Sequence, residues 1–418
     1  MKKNIFLLTF TFLFSLTVNV FSQDIEQTEI LVTQTPENIS SARNVKGIHL
    51  SIYAAASTKL RNRFNDLLET TELNTVVIDI KEIDGHISVK NVADDLTYSK
   101  SVPDISSYLS YVKSKGLYAI ARIVVFRDNV MPRKRPDLAV KTPEGNLWQD
   151  RKNITWLNPY NQEAVNYILD LSEKTADMGF DEIQFDYIRF PSDGKTSLCR
   201  YGVTNSSITA SDAIVDFLRQ ARQRLSPKGI KISIDVFGLT TTEKTDMGIG
   251  QKIVDMSEFV DYISPMVYPS HYANGEYGIP NPNKEPYRTV YIAMQGAKKR
   301  IPVEKLRPWL QDFSMKGVKY GPKEIQAQIQ ACYDCGIQTW MLWNAACRYT
   351  KTGLKTKEEE NTYTKTSSEK IRELLKYDNV NSAVKKRTAN KSTAKVQNKN
   401  TQSKNTDKIN LSTTTKTK

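Results

Sequence analysis

Histidine is scarce in this chain, with three in 418 residues. No His-Glu-x-x-His pair occurs, and no His and Cys set completes a zinc site, so no metal is expected. There is no Gly-x-Ser-x-Gly elbow, which removes the usual serine-hydrolase signature. There is no phosphate loop and no Gly-rich turn after the first strand, so nucleotide cofactors have no cradle and no cofactor is expected. Cysteine is equally sparse: Cys199, Cys332, Cys335 and Cys347. Cys332-Tyr-Asp-Cys335 has the spacing of a redox or metal half-site, but it falls inside a helical pattern with no second pair. Structural or incidental roles are expected for the four, with a disulfide to Cys347 or Cys199 left open.

Apolar runs are short as well. Ile5 to Val20 follows Lys2 and Lys3 and precedes Val20-Phe21-Ser22. A basic start, a run below the ~20 residues of a membrane span and small residues at the break describe a secretory signal peptide over residues 1–22. The remaining chain is then expected to be secreted or periplasmic. Excess positive charge is confined to the ends. Of the net +13, residues 381–418 contribute +9 and Lys2 with Lys3 another +2, so the body carries +2. The high isoelectric point therefore describes a tail and predicts no nucleic-acid partner. Residues 23–44 read as a polar linker. From residue 380 the chain is Lys, Thr, Asn and Ser, too polar to order itself. This tail is either simply solvated or in electrostatic contact with an anionic cell envelope.

What the chain does have is a strand–helix rhythm over residues 45–350. Strands are expected at 45–53, 74–81, 117–126, 180–191, 231–238, 260–268, 306–313 and 338–344. Amphipathic helices at 59–70, 105–115, 162–178, 210–225, 250–258, 287–300 and 322–334 alternate with them. Between the third strand and the third helix lies a Pro-rich excursion from Arg127 to Tyr160 that carries Trp148 and Trp156. Loops of this length in a compact domain are usually functional. Eight such strands over about 300 residues predict an α/β fold, a (β/α)8 TIM-type barrel. Residues 351–379 form an extension with a closing helix at 367–375.

The fourth strand is the most informative. Ile183, Phe185 and Tyr187 share one face, and Gln184 and Asp186 the other. A carboxylate in mid-strand costs several kcal/mol, roughly, if buried and unpaired. Asp186 is therefore either held by an arginine or placed at the mouth of the barrel for catalysis. Barrel active sites lie at the C-terminal ends of the strands. Period-two alternation brings further residues to that end: His49 and Tyr53 on the first strand, Asp79 and Lys81 with Glu82 on the second, and Arg122 on the third. Arg189 follows the fourth strand, Asp235 lies on the fifth, and Tyr268 and His271 follow the sixth. Gln311 and Asp312 lie on the seventh and Trp343 on the eighth. Like charges raise a carboxyl pKa and a nearby Arg lowers it, so such a ring can keep one carboxyl neutral and another charged. Glycoside hydrolysis needs that division. Trp156, Tyr268, Tyr272, Trp309 and Trp343 are candidates to stack on sugar faces.

Six segments carry a family resemblance: Lys46-Gly-Ile-His-Leu50, Val76-Val-Ile-Asp-Ile-Lys81, Trp156-Leu-Asn-Pro-Tyr160, Phe185-Asp-Tyr-Ile-Arg-Phe-Pro191, Asp235-Val-Phe-Gly238 and Ile263-Ser-Pro-Met-Val-Tyr-Pro-Ser270. In this order they resemble a bacterial family catalogued as "putative glycosyl hydrolase" barrels, long a domain of unknown function. The resemblance implies a TIM-type barrel and a polysaccharide hydrolase distantly similar to α-amylase-like barrels. In those relatives the fourth strand carries the nucleophile and the fifth the acid/base, which fall here on Asp186 and Asp235. The relatives use a Glu where this chain has Asp235. Asp181 to Ile188 also resembles the fourth-strand signature of chitinases, but Ile188 stands where their catalytic Glu would be.

The expected protein is a secreted glycoside hydrolase with Asp186 and Asp235 as its pair and Asp312 in reserve. Its substrate is a polysaccharide, gripped by His49, Tyr53, Lys81, Glu82, Arg122, Trp156, Arg189, Tyr268, His271, Gln311 and Trp343. The alternative is a non-catalytic carbohydrate-binding barrel associated with the cell envelope.

Overall fold

The computed structural model describes residues 44–87, 89, 105–202 and 208–362. The expected signal peptide, nearly all of the linker, the closing helix at 367–375 and the basic tail lie outside the described residues. Eight parallel strands close into a barrel in sequence order. They are β1 Lys46–Leu50, β2 Thr75–Lys81, β3 Tyr118–Val124, β4 Glu182–Asp186, β5 Lys231–Phe237, β6 Tyr262–Met266, β7 Trp309–Gln311 and β8 Trp340–Trp343. The fold is the (β/α)8 barrel that the alternating pattern predicts.

The two faces of each strand separate cleanly. Ile48, Ile78, Ala121, Phe185, Ile234 and Leu342 point outward into one apolar sheath shared with the helices. The helix Ala210–Leu225 shows how the sheath is built. Ala213, Phe217, Ala221 and Leu225 recur every three or four residues on its buried side, and Thr209 with Asp212 closes a capping box at its start. The opposite faces of the strands fill the barrel. There Val77, Ile120, Trp309 and Met341 form a small apolar cluster of their own, and the rest of the interior is polar.

Two expectations need correction, and the open question of a disulfide is answered. β1 stops at Leu50, because Ser51 turns its Oγ to accept from the Ala54 N–H at 3.2 Å and caps a short helix, Ile52–Ala56. Tyr53 rides on that helix, 52% exposed, and does not face the barrel mouth. In β2, Asp79 lies opposite Arg122 but Lys81 lies opposite Ile123. The extra residue is a bulge, which breaks the shared face expected of Asp79 and Lys81. Finally, all four cysteines are free. Cys332 and Cys335 pack separately into the outer sheath, so burial rather than pairing accounts for them.

Candidate active site

β4 ends at Asp186 because Tyr187 turns to φ 50°. The Tyr187 N–H, freed from the ladder, donates to Asp186 Oδ1 at 2.6 Å. Asp186 Oδ2 faces Arg122 across the top of the barrel. Arg122 Nη2 donates to it at 2.5 Å and Nε at 3.1 Å. The same guanidinium reaches Asp79 Oδ1 through Nη1 at 2.6 Å. Its Nε also stands 3.7 Å from Asp235 Oδ2. One arginine thus gathers three aspartates from β2, β4 and β5.

The ring around them completes the electrostatics. His49 Nε2 lies 2.8 Å from Asp79 Oδ2, and its ring stacks on Trp343 at 3.9 Å. Burial opposes a charge on His49, but the Asp79 carboxylate outweighs it and lifts the imidazole to about 9. Burial likewise opposes charge on Asp79, yet Arg122 and His49 hold its carboxyl down at about 2. Asp235 goes the other way. Burial and then repulsion from Asp186 push its carboxyl well above the usual range, against Arg122 and a hydrogen bond from Trp309. That bond runs from the indole Nε1 to Asp235 Oδ1 at 2.7 Å. Glu82, half-buried at the end of β2, is raised to about 7 by burial and by Asp79.

Above this cluster opens a cavity of about 570 Å³, within the range of small-ligand sites. Nine of the expected residues line it: Asp186, Asp235, Arg122, Arg189, Tyr268, His271, Tyr272, Trp309 and Trp343. The others are placed elsewhere. His49 stands behind Trp343. Glu82 accepts from the Ile52 N–H at 3.4 Å. Lys81 is fully buried and pairs with Asp128 at 2.9 Å. Trp156 lies beneath the cavity wall, 1% exposed. Gln311 braces the loop after β6 by accepting from the Ser270 N–H at 3.0 Å. Asp312 is occupied by Thr350, whose Oγ1 and N–H donate to its two oxygens at 2.7 and 2.8 Å.

Sequence reading missed the apolar wall of the cavity, made by Phe237, Leu239, Met247, Met266 and Ile83, with Tyr187. Phe237 was signalled by its place two residues beyond Asp235 on the same face. Met247 and Leu239 sit on irregular segments that carry no period. Gly238 has a steric reason: a Cβ there would meet the Met266 carbonyl oxygen at 2.7 Å and the Tyr272 hydroxyl. Among the described residues no group of three or more His, Cys, Asp or Glu is arranged to hold a metal ion.

Two buried carboxyl groups, Asp186 and Asp235, meet at the floor of a cavity lined in part by aromatic side chains. Arg122 Nε, shared between them, keeps the two Oδ2 atoms within about 7 Å of each other.

Comparison with known proteins agrees with the barrel. The glycoside hydrolase domain of PgaB (BpsB) from Bordetella bronchiseptica is similar at 12% identity, over 72% of this chain and 94% of its own, with a TM-score of 0.55. At that identity the likeness is one of fold. A hypothetical protein from Ruminiclostridium thermocellum ATCC 27405 shares 31% identity over 45% of this chain and 97% of its own, with a TM-score of 0.41. The α-galactosidase TtGalA from Thermus thermophilus shares 13% identity over 77% of this chain and 61% of its own, with a TM-score of 0.46. No curated protein matches the chain. Residues 47–349 match the family described as "Putative glycosyl hydrolase domain". With that match running from β1 past β8, the chain belongs to this glycosyl hydrolase family.

Proposed function

We propose that the protein cleaves O-glycosidic bonds of a polysaccharide by two-carboxylate catalysis. Asp235 is the general acid, and Asp186 is the nucleophile or the base that activates water. The observation that carries this reading is the shared Arg122, which brings Asp186 and Asp235 together under the cavity. A neutral Asp235 has a proton for the leaving oxygen. Trp343 and Tyr268 offer aromatic faces to the sugar. Lys2, Lys3 and the apolar run to Ser22 support export, and the tail's Lys residues suit an anionic envelope.

A second reading keeps the sugar and drops the chemistry. Arg122 already satisfies Asp186 with two N–H groups, as it would in a carbohydrate-binding barrel. Product release from a broad polysaccharide panel distinguishes the two, using the full chain beside Asp186→Asn and Asp235→Asn. Release lost in both variants supports the pair. Release surviving in both removes these residues but keeps the class. Selective binding of one polymer without release, equal in all three forms, selects the binding barrel.

A further inference from the structure

Arg189 follows the end of β4, lines the cavity and is 7% exposed. Three aromatic faces enclose its guanidinium: Phe237 at 4.6 Å, Tyr187 at 4.9 Å and Trp156 at 5.0 Å. Nη1 donates to the Phe190 carbonyl at 2.9 Å, while Nε and Nη2 make no hydrogen bond to the described residues. Its buried neighbours differ in one respect. Arg127 pairs with Asp150 at 2.9 Å, Lys81 with Asp128 at 2.9 Å, and Arg122 with Asp79 and Asp186. Arg189 has no such carboxylate among the described residues.

Enclosing an unpaired cation is costly, and aromatic faces offset only part of the lost hydration. Burial accordingly pushes the Arg189 pKa down, and the charges of Tyr187, Asp186 and Asp193 counter this incompletely. The cluster beneath it supplies no partner either, since Asp79 and Asp186 are both taken by Arg122. Arg189 therefore presents the cavity with a guanidinium that no carboxylate among the described residues pairs with.

We propose that Arg189 is a specificity subsite for an anionic substituent on the sugar, a carboxylate or a sulfate ester, taken by the unoccupied N–H edge of its guanidinium. A planar guanidinium presents paired N–H groups that match either oxyanion. The aromatic cage holds that edge in place before the ligand arrives. This rests on reading the cavity as a sugar site, but not on the sugar being cleaved.

The test is calorimetric titration of the full chain with methyl glucoside, methyl glucuronide and methyl glucoside 6-sulfate, which differ only at C6. Wild type should bind at least one anionic form about tenfold or more tighter than the neutral one, the range of a charge-assisted pair. Whichever anion gains identifies carboxylate or sulfate as the source. Arg189→Met should erase the preference, and Arg189→Lys should keep part of it, since it retains the charge without the fork. Arg189→Lys also serves if the methionine variant loses its thermal transition. Equal binding of all three probes, binding of none, or a preference that survives both variants overturns the proposal. Cleavage is read separately on polysaccharide. An inactive protein that prefers the anion sinks only the hydrolase reading, whereas an active one indifferent to Arg189 sinks only this subsite.

Discussion

The two ends of the barrel interior solve the problem of buried charge differently. At the lower end, Glu182 faces Arg307, whose Nη1 donates to both carboxylate oxygens at 2.8 and 2.9 Å. Tyr118 adds its hydroxyl at 3.1 Å, and the Tyr262 ring covers the guanidinium at 3.7 Å. Neither charged side chain is exposed. One charge meets one charge, every oxygen is used, and nothing is left to react. At the upper end, one arginine serves three aspartates. There burial and the neighbouring Asp186 push the Asp235 carboxyl up in spite of the shared arginine, and the cluster opens onto a cavity. Both ends are buried, so the number of carboxylates per arginine, one below and three above, separates the structural plug from the candidate site.

The comparison breaks most visibly at Asp186. Asp186→Asn should lower polysaccharide turnover by about 10³-fold or more, the scale of a lost catalytic carboxylate, with the melting temperature nearly unmoved. If turnover survives, the upper cluster is structural like the lower. Arg307→Met should do the converse. Stranding Glu182 in the interior should cost about 3–5 kcal/mol in denaturant unfolding, with turnover per folded molecule unchanged. Adding Glu182→Gln to it should restore part of that loss, and a double variant worse than the single would contradict a closed pair.

The pH dependence sharpens the same contrast. Turnover should fall on the alkaline side as Asp235 loses its proton, at a pH above the ordinary carboxyl range. The His49–Asp79 pair acts on stability from both sides. The His49 share is fully present below about 6.5, the unfolded value, and is lost as pH rises through about 9. The Asp79 share is present above its unfolded value of about 3.9 and is lost as pH falls through about 2. Melting temperature followed from pH 6 to 10 checks the first limb; an alkaline fall that persists in a His49→Gln variant would assign it elsewhere. The smallest effect belongs to Asp312. Asp312→Asn should loosen Thr350 by about 1 kcal/mol and leave turnover intact, and a collapse of turnover without loss of stability would promote it to the reactive pair.

The barrel was legible because each strand repeats one signal, apolar outward and mixed inward, with a helix to cover it. Alternation also carried the cluster: Arg122, Asp186, Asp235 and Trp343 reach the cavity where parity places them. It failed where the period was locally broken. The bulge at Ile80 turned Lys81 away, and the Ser51 cap ended β1 before Tyr53. Asp312 keeps its place after β7 but meets Thr350, a partner 38 residues on, which no local pattern announces. The lower plug went unread for a related reason. Glu182 and Arg307 are 125 residues apart, and each alone resembles a solvated charge at a strand start.

The indole of Trp309 has one further consequence. Its ring nitrogen can only give a proton, so the Asp235 oxygen it touches must act as an acceptor. A protonated oxygen is the poorer acceptor, so the indole favours Oδ2 over Oδ1 as the place for a hydrogen on a neutral Asp235. On the proposed acid–base reading, one of two chemically equivalent atoms is thereby favoured as the donor before any substrate is present.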